Sequence, residues 1–147
     1  NLRFLGAGVF KAQRAEIETR PESVVVAGAD IAFIFGHNAL MLKRAFDVES
    51  VMANQLLRRP IRTVALCGGA GDFLLDEAIR QGADAFVTGE MHYHQYFGHE
   101  QQIQIAVIGH YQSEQFTNEI FRDIINKECP GVKCYLTRMN TNPIIYL

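Results

Sequence analysis

The second half of the chain alternates short apolar runs with helical patterns, and this alternation constrains the fold more than any other feature. Strand-like runs at 62–66, 83–87 and 103–108 alternate with stretches of helical spacing, most clearly at 114–127. Alternating strands and helices are typical of a parallel or mixed sheet covered by helices. We therefore predict an α/β fold in which a mixed sheet is flanked by helices.

The remaining elements are predicted from their own local patterns. The helix at 114–127 carries one apolar stripe, made by Phe116, Ile120, Phe121, Ile124 and Ile125. Further strands are predicted at 14–19, 24–26, 31–35, 49–53 and 132–136, and further helices at 37–46 and 73–81.

The composition argues against several classes of protein. The formal net charge is −2 over 147 residues and no basic block occurs, so a nucleic-acid surface driven by bulk charge is not expected. The apolar runs are much shorter than the ~20 residues that span a bilayer, so no membrane association is expected. The three cysteines lack C-x-x-C spacing and are expected to be reduced thiols. We therefore expect a cytoplasmic protein.

Unusual residues follow each of the three strand-like runs in the second half. The first run leads into the glycine-rich loop Gly68–Asp72, the second into Thr88–Glu90, and the third into Gly109–His110. Ligands of open α/β sheets bind outside the carboxyl ends of the strands. If the three strands are neighbours, their ends line one edge of the sheet, and the sequence predicts a functional site there.

His110 and Glu114 are the first candidates for this site. If a helix begins near Tyr111, the two side chains lie about one turn apart on the same side of it. One imidazole and one carboxylate at that spacing can chelate a divalent cation. The alternative is a surface pair near a helix start, with Glu114 favoured only by the helix dipole.

The glycine-rich loop Gly68–Asp72 has two interpretations. Its glycines would let the backbone approach a phosphate at a helix N-terminus, but the loop lacks the lysine of a P-loop. Asp72 would be an N-cap residue, and its carboxylate there would oppose an anion. Tight-turn packing is the alternative.

Glu90, His92 and His94 form a second group of candidates. Four of the five histidines lie between 92 and 110, and clustered imidazoles offer ligands, general acids or general bases. The alternative for each histidine taken singly is a surface or packing residue.

Five motifs occur together in a specific order. They are Arg59–Gly71, Gly82–Asp84, Thr88–His94, Gly109–Glu114 and the closing Thr141–Pro143. In these motifs the chain resembles the NIF-three-like family of dinuclear-metal-centre proteins, the GTP cyclohydrolase type-2 homologues.

The resemblance implies an α/β fold of two related lobes with two divalent metal ions, zinc, manganese or iron, in the cleft between them. His110 and Glu114 match the family's metal ligands in the second lobe. A His-His pair and an Asp complete the family's site from the first lobe, and this sequence has no match for them. We therefore expect a C-terminal piece of the fold. Residues 1–58 would be a partial inserted region and linker with α+β remnants, and 59–147 the C-terminal lobe carrying half of the metal site.

The resemblance implies metal-dependent hydrolysis of a nucleotide or phosphoester, with Glu90 or His94 as acid or base. The alternative is a non-catalytic metal-binding or interaction protein, and a third possibility is a nucleotide-binding module built on Gly68–Asp72. Family members commonly form closed rings, so we expect a homo-oligomer, and a hexamer is compatible with the family. Exposed-looking aromatic residues add support for an interface; they are Tyr93, Tyr96 and Phe97.

Overall fold

The structure is a computed structural model that describes residues 3–4, 10–11, 17–19, 25–33 and 35–145, with side chains from 41 to 145. Its centre is a six-stranded mixed sheet made by β3 (Ile17–Thr19), β4 (Val25–Phe33), β5 (Met52–Ala53), β6 (Ile61–Cys67), β7 (Ala85–Thr88) and β8 (Gln104–Val107). The order of the strands across the sheet is β3-β4-β6-β7-β8-β5. A separate two-stranded ribbon pairs β1 (Arg3–Phe4) with β2 (Phe10–Lys11).

The middle of the sheet is parallel and its flanks are antiparallel. β7 pairs in parallel with β6 on one side and β8 on the other. β4 and β5 pair antiparallel with β6 and β8, respectively, and β3 pairs antiparallel with β4. The predicted α/β class with a mixed sheet is therefore confirmed.

Four α-helices and two short 3₁₀ turns are described. The helices are α1 (Phe35–Phe46), α2 (Leu75–Arg80), α3 (His110–Glu114) and α4 (Thr117–Glu128), and the 3₁₀ turns are Asp72–Leu74 and Tyr93–Tyr96. In the described part of the chain, no helix is long and apolar enough to cross a membrane.

Two apolar clusters bury the two faces of the parallel strands. Leu66, Val87 and Ala106 belong to one cluster together with Leu42 and Phe46 of α1. The alternate residues Ala65, Phe86 and Ile105 belong to the other cluster, together with Leu75 and Ala78 of α2. Burial on both faces explains why these strands read as nearly continuous apolar runs.

Three predicted elements differ from the observed ones. Of the strands predicted at 24–26 and 31–35, residues 25–26 and 31–33 belong to the single strand β4, which pairs with β6 through a register shift between Gly28 and Phe33. Phe35 instead begins α1, and residues 24 and 34 lie outside the described residues. The helix predicted at 114–127 is divided into α3 and α4. At that break the Thr117 hydroxyl donates to the Glu114 carbonyl at 2.6 Å, which competes with the helical hydrogen-bond ladder.

The predicted strand at 132–136 is wrong. Residues 132–145 have no helix or strand assignment, and Tyr135 is 86% exposed. An alternating pattern specifies a strand only where a sheet edge pairs with it, and no described strand pairs with this segment.

The segment before residue 59 contributes to the same sheet as the rest of the chain. β4 and β5 lie in this segment and pair with β6 and β8. Of the predicted strand at 14–19, residues 17–19 form β3, whereas 14–16 lie outside the described residues. The division into 1–58 and 59–147, with the first part derived from an inserted region, stays a prediction.

Candidate metal centre

The carboxyl ends of β6, β7 and β8 meet at one edge of the sheet. Because the three strands are parallel neighbours, the segments that follow them are brought together. Those segments begin at Gly68, Gly89 and Ile108, and they lead into the glycine loop, Glu90 and His110. The predicted convergence of the strand ends is therefore observed.

His110 lies between two carboxylates. Its Nδ1 is 2.9 Å from Oε1 of Glu90, and its Nε2 is 3.4 Å from Oε2 of Glu114. His110 is the first residue of α3 and Glu114 the last, so the predicted spacing of one helical turn puts the two groups together. All three side chains are about half exposed and open to a ligand from solvent.

Ser113 holds the glycine loop against α3. Its buried hydroxyl accepts a hydrogen bond from the Gly69 amide at 2.9 Å and donates to the His110 carbonyl at 2.7 Å. Ser113 was not among the residues predicted for the site. Its place between His110 and Glu114 in the motif was the only available signal, and the partner loop lies 44 residues away.

Glycine is required where the loop meets the imidazole and the carboxylate. Gly69 has a φ of +63°, and a Cβ there would lie 2.6 Å from Oε1 of Glu114 and 3.5 Å from Cε1 of His110. At Gly89 a Cβ would lie 2.6 Å from the Gly69 carbonyl oxygen and 2.7 Å from the Ser113 hydroxyl. Gly69 and Gly89 together are called the glycine cradle below. Because they have no side chains, the loop can lie directly against the side chains of Glu114, His110 and Ser113.

Two amides of the glycine loop donate hydrogen bonds to protein acceptors. The Gly69 amide donates to Ser113, and the Gly71 amide donates to the Gly69 carbonyl at 3.1 Å and to the Thr88 hydroxyl at 3.2 Å. A phosphate at Gly68–Asp72 would need such amides as donors. Of the two interpretations of this loop, the geometry favours tight-turn packing.

Asp72 contacts a histidine instead of capping a helix. The 3₁₀ turn begins at Asp72 itself, and its preceding residue, Gly71, makes no side-chain cap. The Asp72 carboxylate lies 2.6 Å from Nδ1 of His92, and this hydrogen bond and its negative charge raise the pKa of His92. The expected N-cap role of Asp72 is therefore wrong.

His94 stands apart from the cluster around His110. It lies in the 3₁₀ turn Tyr93–Tyr96, with its ring centroid 5.7 Å from that of His92. Among the described residues, no hydrogen bond joins His94 to Glu90, His110 or Glu114. Of the two predicted acid–base candidates, the structure brings Glu90 to His110 and leaves His94 outside that contact.

Cys67 is a poor nucleophile in this setting. All three cysteines are free, and burial together with the charge of Glu114 raises the pKa of the Cys67 thiol. The thiol therefore stays protonated at neutral pH.

A cleft opens beside His110 and Glu114. It has a volume of about 710 Å³ and lies between α3, the first turn of α4 and the C-terminal segment 136–144. The Thr141–Pro143 motif forms part of its wall. The cluster at the strand ends therefore faces a space of the size that small molecules occupy, roughly 300–1,000 Å³.

The donor set suits a divalent metal but covers only part of a coordination shell. Imidazole and carboxylate donors bind zinc, manganese and iron. Within the described part of the chain, no group of three or more His, Cys, Asp or Glu side chains is arranged to hold a metal ion. The assignment of His110 and Glu114 as metal ligands therefore stays a prediction.

The chain is an α/β protein whose candidate site lies at the carboxyl ends of parallel strands, where open α/β sheets bind their ligands. The family model of Duf34/NIF3 (NGG1p interacting factor 3) matches residues 26–143. The chain belongs to this family, which confirms the resemblance found in its motifs.

Several curated relatives carry the name GTP cyclohydrolase 1 type 2 homolog. The Bacillus subtilis protein is 28% identical over 115 residues, which are 74% of this chain and 30% of that protein. The Archaeoglobus fulgidus protein is 32% identical over 83 residues, covering 56% and 34% of the two chains. The Streptococcus pneumoniae protein is 36% identical over 64 residues, covering 41% and 24%. The chain thus spans about a third or less of these relatives.

Solved structures share the fold. Staphylococcus aureus protein SA1388 matches with a TM-score of 0.72 at 24% identity, over 84% of this chain and 42% of that one. A Bacillus cereus protein related to NIF3 matches with a TM-score of 0.68 at 24% identity, over 84% and 36%.

Proposed function

We propose that this chain supplies half of a dinuclear metal centre and that the centre hydrolyses a nucleotide or another phosphoester. The observation that carries the proposal is His110 held between Glu90 and Glu114 at the mouth of a cleft. The names of the curated relatives support a nucleotide as substrate.

In this proposal, His110 and Glu114 are metal ligands, and two divalent ions, zinc, manganese or iron, would activate a water molecule and polarise a phosphoryl oxygen. With its proton on Nδ1, His110 would donate to Glu90, which would leave Nε2 to bind the metal and fix the orientation of the ring. Glu90 is then a positioning residue as well as a candidate base. His94 remains a candidate acid only if substrate binding brings it closer.

A second candidate function is metal binding without catalysis, in a protein that acts through its interactions. The favouring observation is the exposure of apolar side chains on α4, where Phe121 is 58% and Ile124 49% exposed. Exposed apolar surface of this kind marks interaction sites.

Metal analysis followed by hydrolysis assays separates the two functions. The assays should use a panel of nucleotides and simple phosphomonoesters, with the protein kept in millimolar Mn²⁺ because two ligands bind an ion only weakly. Turnover that is lost in His110→Ala and retained in His99→Ala supports the hydrolase, since His99 lies before β8, away from the strand ends. Tight metal binding without turnover on any substrate contradicts it and supports the interaction protein.

We also propose a cytoplasmic location. The free thiols of Cys67, Cys129 and Cys134 suit a compartment that keeps cysteines reduced. Cys129 is exposed and would be open to oxidation in a secreted protein.

A further inference from the structure

The C-terminal segment 136–144 forms the wall of the cleft that faces the start of α3 and α4. Its shape comes from local hydrogen bonds, because it has no helix or strand. The Thr137 hydroxyl accepts from the Met139 amide at 3.2 Å, Oδ1 of Asn140 from the Asn142 amide at 2.9 Å, and Oδ1 of Asn142 from the Ile144 amide at 3.1 Å. Two asparagine side chains are thereby fixed through their oxygens, and their Nδ2 groups remain as donors.

Arg138 is the one permanent cation among the residues that line the cleft. Glu114 and Glu119 line the same cleft, yet within the described part of the chain no carboxylate forms an ion pair with Arg138. Arg59 and Arg122, by contrast, pair with Asp84 and with Asp123, the latter at 2.7 Å. Neither of these two arginines lines the cleft. Arg138 therefore offers a free guanidinium in the same cleft as His110.

We propose that Arg138 binds the phosphate group of the substrate in this cleft. The proposal rests on the proposed function, because it assigns the anion that His110 and Glu114 would act on. A guanidinium presents parallel N–H donors that match two phosphate oxygens. The amide groups of Asn140 and Asn142 add neutral donors from the same wall. The Thr141–Pro143 motif thus belongs to a substrate-binding segment, with Arg138 setting the preference for phosphate-bearing molecules.

Calorimetric titration with inorganic phosphate tests the proposal without requiring turnover. The protein is titrated once after equilibration with Mn²⁺ and once after chelation. We expect Arg138→Ala to bind phosphate at least about tenfold more weakly than the wild type in the condition where the wild type binds. Arg138→Lys should fall between the two, because a lysine keeps the charge but loses the paired donors.

Lys133→Ala is the matched control. It removes the same charge from the same C-terminal stretch, but Lys133 does not line the cleft. Its phosphate affinity should stay within about twofold of the wild type, since an exposed charge outside the cleft is screened by solvent. The affinity for Mn²⁺ should be the same in Arg138→Ala and in the wild type, because Arg138 is not a metal donor.

A simple phosphomonoester and a nucleoside monophosphate separate the sources of the phosphate. We expect Arg138→Ala to weaken the binding of glycerol phosphate and of a nucleoside monophosphate by the same factor, since both molecules present the same phosphate group. Equal phosphate affinity in Arg138→Ala and wild type, including no binding by either, overturns the proposal. A loss confined to the nucleoside monophosphate also overturns it, because Arg138 would then contact the base.

The same titrations keep this proposal distinct from the proposed function. Phosphate affinity that depends on Arg138 but is indifferent to chelation and to His110→Ala supports the anion site while contradicting the metal-dependent hydrolase. If metal binding depends on His110 but the phosphate affinity is the same in Arg138→Ala and the wild type, the result supports the metal site and contradicts the anion site.

Discussion

Gly69 is the residue whose replacement most directly tests the glycine cradle around the candidate metal ligands. A Cβ at this position would lie 2.6 Å from Oε1 of Glu114, so Gly69→Ala should displace that carboxylate and weaken metal binding. The positive φ adds a conformational cost of about 1–2 kcal/mol. Chemical denaturation and metal titration measure the two effects.

Gly82→Ala is the control for backbone strain. Gly82 has a φ of +74°, similar to that of Gly69, but a Cβ there meets nothing within 4 Å. Both variants should lose similar stability, whereas only Gly69→Ala should lose metal affinity. Equal metal affinity in the two variants would contradict the glycine cradle.

The Asp84 carboxyl group should make a contribution to the free energy of unfolding that depends on pH. Burial alone would raise its pKa, but hydrogen bonds from the Arg59 guanidinium and from the Arg62 and Thr63 amides outweigh this and lower the pKa. A carboxyl group with a lowered pKa in the folded state stabilises the protein above its unfolded pKa of about 3.9. That stabilisation is lost as the pH falls through the folded-state pKa.

Asp84→Asn should therefore cost about 1–2 kcal/mol of unfolding free energy at pH 7, since solvent around the half-exposed Arg59 limits the ion-pair part. The difference from the wild type should shrink below about pH 4. Urea denaturation at several pH values measures this. Asp123→Asn, in an exposed ion pair on α4, should change stability by less than about 0.5 kcal/mol. A pH-independent loss in Asp84→Asn contradicts the assignment.

At the scale of elements, a buried amide joins the loop after β5 to β8. Oε1 of Gln104 accepts from the Leu57 amide and Nε2 of Gln104 donates to Oδ1 of Asn54, both at 2.7 Å. Gln104 is 0% exposed. Gln104→Met would leave the Leu57 amide without its acceptor, at a cost of about 1–3 kcal/mol, whereas Oδ1 of Asn54 would keep its hydrogen bond from the Ile105 amide.

Gln101→Met is the matched control for Gln104→Met. Gln101 accepts from the Arg58 amide at 2.8 Å and donates to the Leu56 carbonyl at 2.9 Å, but it does so at the surface. Water replaces surface hydrogen bonds, so this variant should lose less than about 1 kcal/mol. Thermal or chemical unfolding compares the two variants, and equal losses would show that burial of Gln104 is not decisive.

The elements best predicted from the sequence are those buried on both faces. β6, β7 and β8 begin and end within two residues of the predicted runs, because every apolar residue of these runs belongs to one apolar cluster or the other or packs against it. α1 was predicted for a similar reason, since Leu42 and Phe46 reach the core. The predicted strand at 132–136 failed because its pattern needed a partner edge that the sequence does not specify.

The apolar stripe of the predicted helix at 114–127 shows a related difference. Ile120 is buried and Phe116 packs partly against the core, but Phe121, Ile124 and Ile125 are exposed. Amphipathic spacing locates a helix, but the surface that covers its apolar side depends on tertiary or quaternary contacts. The sequence predicts the stripe and not its partner.

The candidate site was predictable where it depends on local spacing. Short motifs predict that His110 and Glu114 are one helical turn apart and that functional residues follow the ends of three strands. The contacts of Ser113 with Gly69 and of Glu90 with His110 join residues 44 and 20 positions apart, so no local pattern contains them.

At the scale of the whole molecule, we propose that the protein is a homo-oligomer, with a closed ring up to a hexamer as the family resemblance implies. Tyr93 is 79% and Phe97 56% exposed, and their rings meet edge to face at 5.1 Å. Tyr96, expected to be exposed, is instead half-buried, and burial raises its pKa. Light scattering at micromolar concentration should give a mass of at least two chains, whereas a monomer would contradict the proposal.

The central claim is that His110 and Glu114 bind a divalent metal as one half of a larger site. Calorimetric titration of this chain with Zn²⁺ or Mn²⁺ tests the claim most directly. Because two ligands leave an ion mostly hydrated, the affinity should be weak, roughly millimolar by analogy with sites of few ligands. His110→Ala and Glu114→Gln should each reduce it, and His99→Ala should leave it unchanged. Unchanged affinity in His110→Ala would contradict the claim.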